Sequence, residues 1–133
     1  MPAAATGDDR EVANRASSNI IIFVAKHNQR LIQEMLYAGH YNSVISVSGK
    51  DAADMIHAGN CDVLIADADN KPETPTEIIE AAKSAGIEAL LLAESISIND
   101  EKAYRAAGVK VILQQPISMA ALFSAIERVR AAH

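Results

Sequence analysis

The residues able to do chemistry stand behind apolar runs. Asp67 closes the run Cys61-Asp-Val-Leu-Ile-Ala-Asp67 and is followed by Ala68, Asp69 and Asn70. Ala25, Lys26, His27 and Asn28 follow Ile20-Ile-Ile-Phe-Val24, and Ala93, Glu94 and Ser95 follow Ala89-Leu-Leu-Leu92. Gln114, Gln115 and Pro116 follow Val109-Lys-Val-Ile-Leu113. If these runs are neighbouring strands, their ends enclose a pocket with one central carboxylate, Asp67, an ammonium from Lys26 and an amide from strand 5. Lys26 is expected to pair with Asp67, and removing one partner of such a half-buried pair would leave the other uncompensated. Asp69 could help Asp67 hold a cation, but two carboxylates make a thin donor set for a hard ion.

Other chemistries find little support. His27, His40, His57 and His133 have no metal-ligand spacing, and the single cysteine, Cys61, excludes an intramolecular disulfide or a cysteine-rich zinc site. Cys61 reads as a small buried apolar residue. No glycine-rich phosphate loop, nucleophile elbow or His-Glu zinc motif is present. The set therefore predicts no catalytic residue, no metal site and no enzyme.

The elements that would position these residues follow from periodicity. The chain has 133 residues, half of them hydrophobic and 22% charged, enough for one domain with its own core. The four runs above, with Val44-Ile-Ser-Val47, make five candidate strands of the continuous apolar kind that is buried on both faces. Helical stripes lie between them: Leu31, Ile32, Met35 and Leu36; Ala52, Ala53, Met55 and Ile56; Ile78, Ile79, Ala82 and Ala85; Ala103, Tyr104, Ala106 and Ala107. A fifth, Met119, Leu122, Phe123, Ile126 and Val129, starts behind Ser118, the expected N-cap. Ala38-Gly39, Ala58-Gly59, Ala85-Gly86 and Ala107-Gly108 each end a stripe, and glycine just past a helix suits the left-handed position there. The order predicts an α/β fold of type (βα)5 in three layers, a five-stranded parallel sheet with helices on both faces. Residues 19–133 form this domain, and residues 1–18 a flexible tail, with a short helix over Glu11–Ala16 as the alternative. No apolar run is long enough to span a membrane, and the first residues do not read as a signal peptide, so a cytoplasmic location is expected.

Over residues 19–131 the chain resembles the receiver domain of two-component response regulators, which has a flavodoxin-like fold. The resemblance rests on Cys61-Asp-Val-Leu-Ile-Ala-Asp67, on Ala107-Gly108 leading into strand 5, and on Gln115-Pro116 where the family has Lys-Pro. It implies that Asp67 stands at the phosphoacceptor position and that Ile112 stands at the aromatic switch position. It also implies a cis peptide before Pro116. The departures are the two metal-binding acids, replaced by Ala25 and Lys26, the Ser or Thr after strand 4, replaced by Ala93, and the lysine, replaced by Gln115. The loop Asn70-Lys71-Pro72-Glu73-Thr74-Pro75 also departs from the family pattern. Transfer of a phosphoryl group to aspartate depends on neutralising charge, largely through Mg²⁺. Mg²⁺ binding is accordingly expected to be weak or absent, with Lys26 standing in for the ion.

The resemblance implies an atypical receiver in two-component or phosphorelay signalling that acts by phosphorylation-independent contact with another protein: a histidine kinase, a phosphotransferase or a downstream effector. Helix 4, strand 5 and helix 5 form the expected partner or homodimer surface, with Tyr104, Arg105, Arg128 and Arg130 as contacts. The alternatives are a true phosphoacceptor modified on Asp67 and a nucleotide-sensing module of the same fold. The net charge of -5 and the lack of Trp weigh against nucleic acid. That charge is uneven: residues 62–101 carry ten acids and two bases, residues 102–133 five bases and one acid. A partner that meets the basic end through acidic groups is expected.

Overall fold

The computed structural model describes residues 19–69 and 75–131. The expected tail, its alternative helix over Glu11–Ala16 and most of the loop after Asp69 lie outside the described residues. Five strands, β1 (Asn19–Phe23), β2 (Asn42–Ile45), β3 (Val63–Asp67), β4 (Glu88–Ala93) and β5 (Val109–Gln114), pair in parallel in the order β2-β1-β3-β4-β5. The helices between and after them are α1 (Lys26–Ala38), α2 (Gly49–Ala58), α3 (Thr76–Ser84), α4 (Ile98–Ala107) and α5 (Met119–Ala131). The predicted three-layer (βα)5 architecture is the one found.

The two-residue alternation of the strands divides the core. Ile20, Ile22, Val63, Ile65, Leu90 and Leu92 face α1 and α5, packing on Ile32, Leu36, Leu122 and Ile126. Ile21, Phe23, Leu64, Ala66, Ala89 and Leu91 face the other way, onto Ile56 of α2 and Ile78, Ile79 and Ala82 of α3. All five residues of β3 are buried, because it lies in the middle of the sheet and is covered on both sides. No described helix is long and apolar enough to cross a membrane.

Three local expectations are corrected. The second strand, an edge strand that pairs only with β1, ends at Ile45, so Val47 lies beyond the sheet in the segment leading to α2 and is 82% exposed. Gly39 has φ -88°, and its neighbour His40 takes the left-handed conformation at φ 68°. Glycine is required at position 39 for space: a Cβ there would lie 2.5 Å from Phe123 Cζ. Gly59, by contrast, does adopt the left-handed conformation, at φ 77°, as Gly86 does. The fourth stripe buries only Ala107 fully, while Ala103 and Ala106 are exposed. The expected cap does form, Ser118 Oγ accepting the N–H of Ala121 at 3.1 Å.

Candidate functional site

Asp67 is the last residue of β3 and is completely buried. A buried carboxylate needs donors, and three supply them. Oδ2 accepts the backbone N–H of Ala25 at 3.2 Å and the side-chain amide of Asn28 at 3.1 Å. Oδ1 accepts the backbone N–H of Asp69 at 2.8 Å. Ala25 occupies the N-cap of α1 and has no side chain able to cap it. The carboxylate of Asp67, arriving from the neighbouring strand, places negative charge at that helix N-terminus, where the helix dipole favours it.

Lys26 does not pair with Asp67. The helix starts at Lys26, three residues past the last residue of β1, and the lysine side chain is exposed in its first turn. The carboxylate instead takes its donors from the Ala25 and Asp69 backbone and the Asn28 side chain. Asn28, one turn into α1, takes the role expected of Lys26. The sequence contained one hint: an amide two residues beyond Lys26, on a helix whose N-cap residue is alanine.

Asp69 is exposed, and its Oδ2 accepts the N–H of Glu94 at 3.2 Å, joining the loop after β3 to the loop after β4. Ala93 is buried at the end of β4, and its carbonyl accepts the N–H of Gln115 at 2.8 Å. The Gln115-Pro116 peptide is cis, as the resemblance implied. Ile112 is half-buried and lines a cavity of about 360 Å³ with Ala93, Ser95, Arg105 and Gln114. The sheet thus brings Ala25, Asp67, Asp69, Ala93 and Gln115 to one end.

The expected partner surface is less uniform. Arg128 is exposed, and Tyr104 is partly so. Burial raises the Tyr104 phenol above its ordinary range, with further contributions from Asp100, Asp69 and Asp67. Arg105 is held by Glu101 Oε2 at 3.3 Å and by the Lys110 carbonyl at 3.3 Å. Arg130 is not an open contact: its Nε lies 3.6 Å from Asp62 Oδ2 and its Nη1 4.0 Å from Glu127 Oε1. It closes the opposite end of the sheet, where Asp62 also accepts the Asn19 N–H. Cys61, expected to be buried, is half-buried; that burial, then the Asp62 carboxylate, pushes its thiol up, which keeps it protonated at neutral pH and a poor nucleophile.

No family model and no curated protein matches the sequence. Solved structures match the fold. Chemotaxis protein CheY4 of Vibrio cholerae superposes with a TM-score of 0.75 at 19% identity, over 84% of this chain and 98% of that one. The receiver domain of sensor histidine kinase PA1611 from Pseudomonas aeruginosa, with a magnesium ion coordinated in its active site cleft, gives 0.75 at 18% identity, over 85% and 97%. A chain from the Saccharomyces cerevisiae complex of the histidine phosphotransfer protein Ypd1 with the receiver domain of the response regulator Ssk1 gives 0.72 at 18%, over 85% and 88%. The fold is that of CheY-like receiver domains.

A magnesium ion, which that fold brings to mind, does not fit the residues present. β1 runs into Ala25 and Lys26 in place of acids. Among the described residues no three of His, Cys, Asp or Glu gather at metal-binding distance.

Proposed function

We propose that the chain is an atypical receiver domain of two-component or phosphorelay signalling, working by protein contact without phosphorylation and catalysing no reaction itself. The observation that carries this reading is the state of Asp67. Its carboxylate is buried, and its oxygens are bound to the N–H groups of Ala25, Asn28 and Asp69. To attack a phosphoryl donor, the carboxylate would have to take on a further negative group with no hard cation to neutralise the developing charge. The carboxylate acts instead as a fixed joint between β1, α1 and β3.

The partner in this reading is another signalling protein: a kinase, a phosphotransferase or a downstream effector. It meets α4, β5 and α5 through acidic groups, with Tyr104, Arg105 and Arg128 as contacts. A protein-bound role also suits the polarity of the chain, whose residues 102–133 carry five bases and one acid.

Adding Mg²⁺ and beryllium fluoride, a phosphoryl mimic, while following backbone amides by NMR tests the proposal. No saturable shift is expected near Asp67, β4 or β5. Saturable shifts there would overturn it and establish Asp67 as a phosphoacceptor.

A further inference from the structure

Next to the Asp67 joint, the same end of the sheet opens into a groove of about 410 Å³ between the start of α1 and the segment joining β5 to α5. Leu31, Ile32, Pro116 and Ile117 form its apolar walls. Leu31 belongs to the stripe expected to face the core, yet it is 50% exposed because it borders this opening. Asn28, Glu94 and Gln115 supply the polar groups.

The hydrogen-bonding state of these three groups selects the ligand. Asp67 can only accept, so Asn28 must turn its NH₂ to it, which leaves Asn28 Oδ1 as an acceptor. The Glu94 carboxylate accepts only, and among the described residues it has no ion-pair partner. The Gln115 amide is half-buried and has no side-chain partner among the described residues. Acceptors therefore outnumber donors, around apolar walls, with one exposed negative charge at the rim. Lys26 does not line the groove.

We propose that this groove binds a ligand with a cationic, hydrogen-bond-donating head on an apolar body, such as an aryl amidine, an alkyl amine or a guanidinium on its stem. The apolar part lies on Leu31, Pro116 and Ile117, and the head donates to Glu94, Gln115 and Asn28 Oδ1. Anions are repelled by Glu94, with Asp67 and Asp69 behind it. Asp69 and Asp67 also add, after burial and Asp100, to the raising of the Tyr104 phenol. The proposal does not depend on whether Asp67 accepts a phosphoryl group.

Benzamidine, benzamide and benzoate share one ring and differ in the charge of the head. Side-chain amide resonances of Asn28 and Gln115, followed by NMR during titration, should shift saturably with benzamidine in the millimolar range. Benzamide should bind more weakly, and benzoate should leave the resonances unmoved. Glu94→Gln, at an exposed position that the fold does not need, should weaken benzamidine about two- to fivefold, the range of an exposed ion pair. A capped arginine, N-acetyl-arginine methylamide, separates two sources of the same chemistry. Binding of both cations points to a side chain presented by a partner, and binding of benzamidine alone to a free small molecule. Benzamide or benzoate binding as tightly as benzamidine, an unchanged affinity in Glu94→Gln, or no saturable shift would overturn the proposal.

Discussion

Replacing Gly39 with alanine tests why two glycines in the same Ala-Gly setting are needed. The added Cβ would sit 2.5, 2.8 and 3.0 Å from three ring atoms of Phe123. Carbon atoms pack at roughly 3.5 Å, so the ring or α5 must withdraw by about 1 Å. The ring is not free to do so, because it packs against Tyr41 with 5.5 Å between ring centroids. Overpacking of this kind costs about 1–3 kcal/mol. Position 39 has an ordinary φ of -88°, so alanine meets no backbone penalty there. It regains about 0.4–1 kcal/mol by restricting the unfolded chain. The net expectation is a loss of about 1–2 kcal/mol, or roughly 4–8 °C in Tm for a domain of this size. Urea and thermal denaturation of Gly39→Ala, Phe123→Leu and the double variant complete a cycle. In the leucine background the alanine should cost little, giving a coupling of about 1 kcal/mol. Gly59→Ala serves as the contrast. Nothing lies within 4 Å of its Cβ, but its φ is 77°, so it should lose about 1–2 kcal/mol whatever stands at position 123. An unchanged Tm for Gly39→Ala, or additive behaviour in the cycle, would refute the steric argument.

Two further outcomes follow from the site. Lys26→Ala should leave stability within about 0.5 kcal/mol of the parent, whereas Asn28→Ala should lose about 1–2 kcal/mol, since it removes one donor from a buried charge. Urea denaturation measures both, and a larger loss for Lys26→Ala would restore the ion pair. The folded-state pKa of the Tyr104 phenol is raised, so the folded chain holds that proton at a pH where the unfolded chain has released it. The stability linked to this group is fully present below the ordinary phenol range and is lost as pH rises from there through the folded value. Absorbance titration of the parent against Tyr104→Phe should show one phenol ionising late, and a normal titration would contradict the assignment.

Much of the fold was legible because the strands announce themselves. Runs such as Ile20–Val24 and Val63–Ala66 are apolar at every position, which only a strand covered on both faces tolerates. The joint was harder to read. Two of the donors to Asp67 are backbone N–H groups, which every residue carries, so no letter in the sequence marks them. Residue types made Lys26 the natural partner, but its side chain is exposed at the start of the helix, and Asn28 in the same first turn reaches the carboxylate. Val47 and Leu31 were misplaced for a related reason. An apolar letter does not reveal that its element lies at a sheet edge or borders a groove. Arg130 looked like a surface contact because its partner, Asp62, lies far back in the chain at the opposite end of the sheet.

The Asp67 joint also bears on how the chain reaches this structure. Its donors Ala25 and Asn28 lie 42 and 39 residues away in sequence, and neither bond can form until β1 and β3 have paired. The strand pairing spans a like separation, Ile20 to Val63, and closes that loop first, so the bonds to Asp67 follow the sheet contacts. An interaction missing from the folding transition state hardly affects how fast the chain folds, but it slows escape from the folded state. The buried carboxylate thus acts as a latch: α1 is fastened after the sheet has assembled, and the fastening lengthens the lifetime of the finished domain.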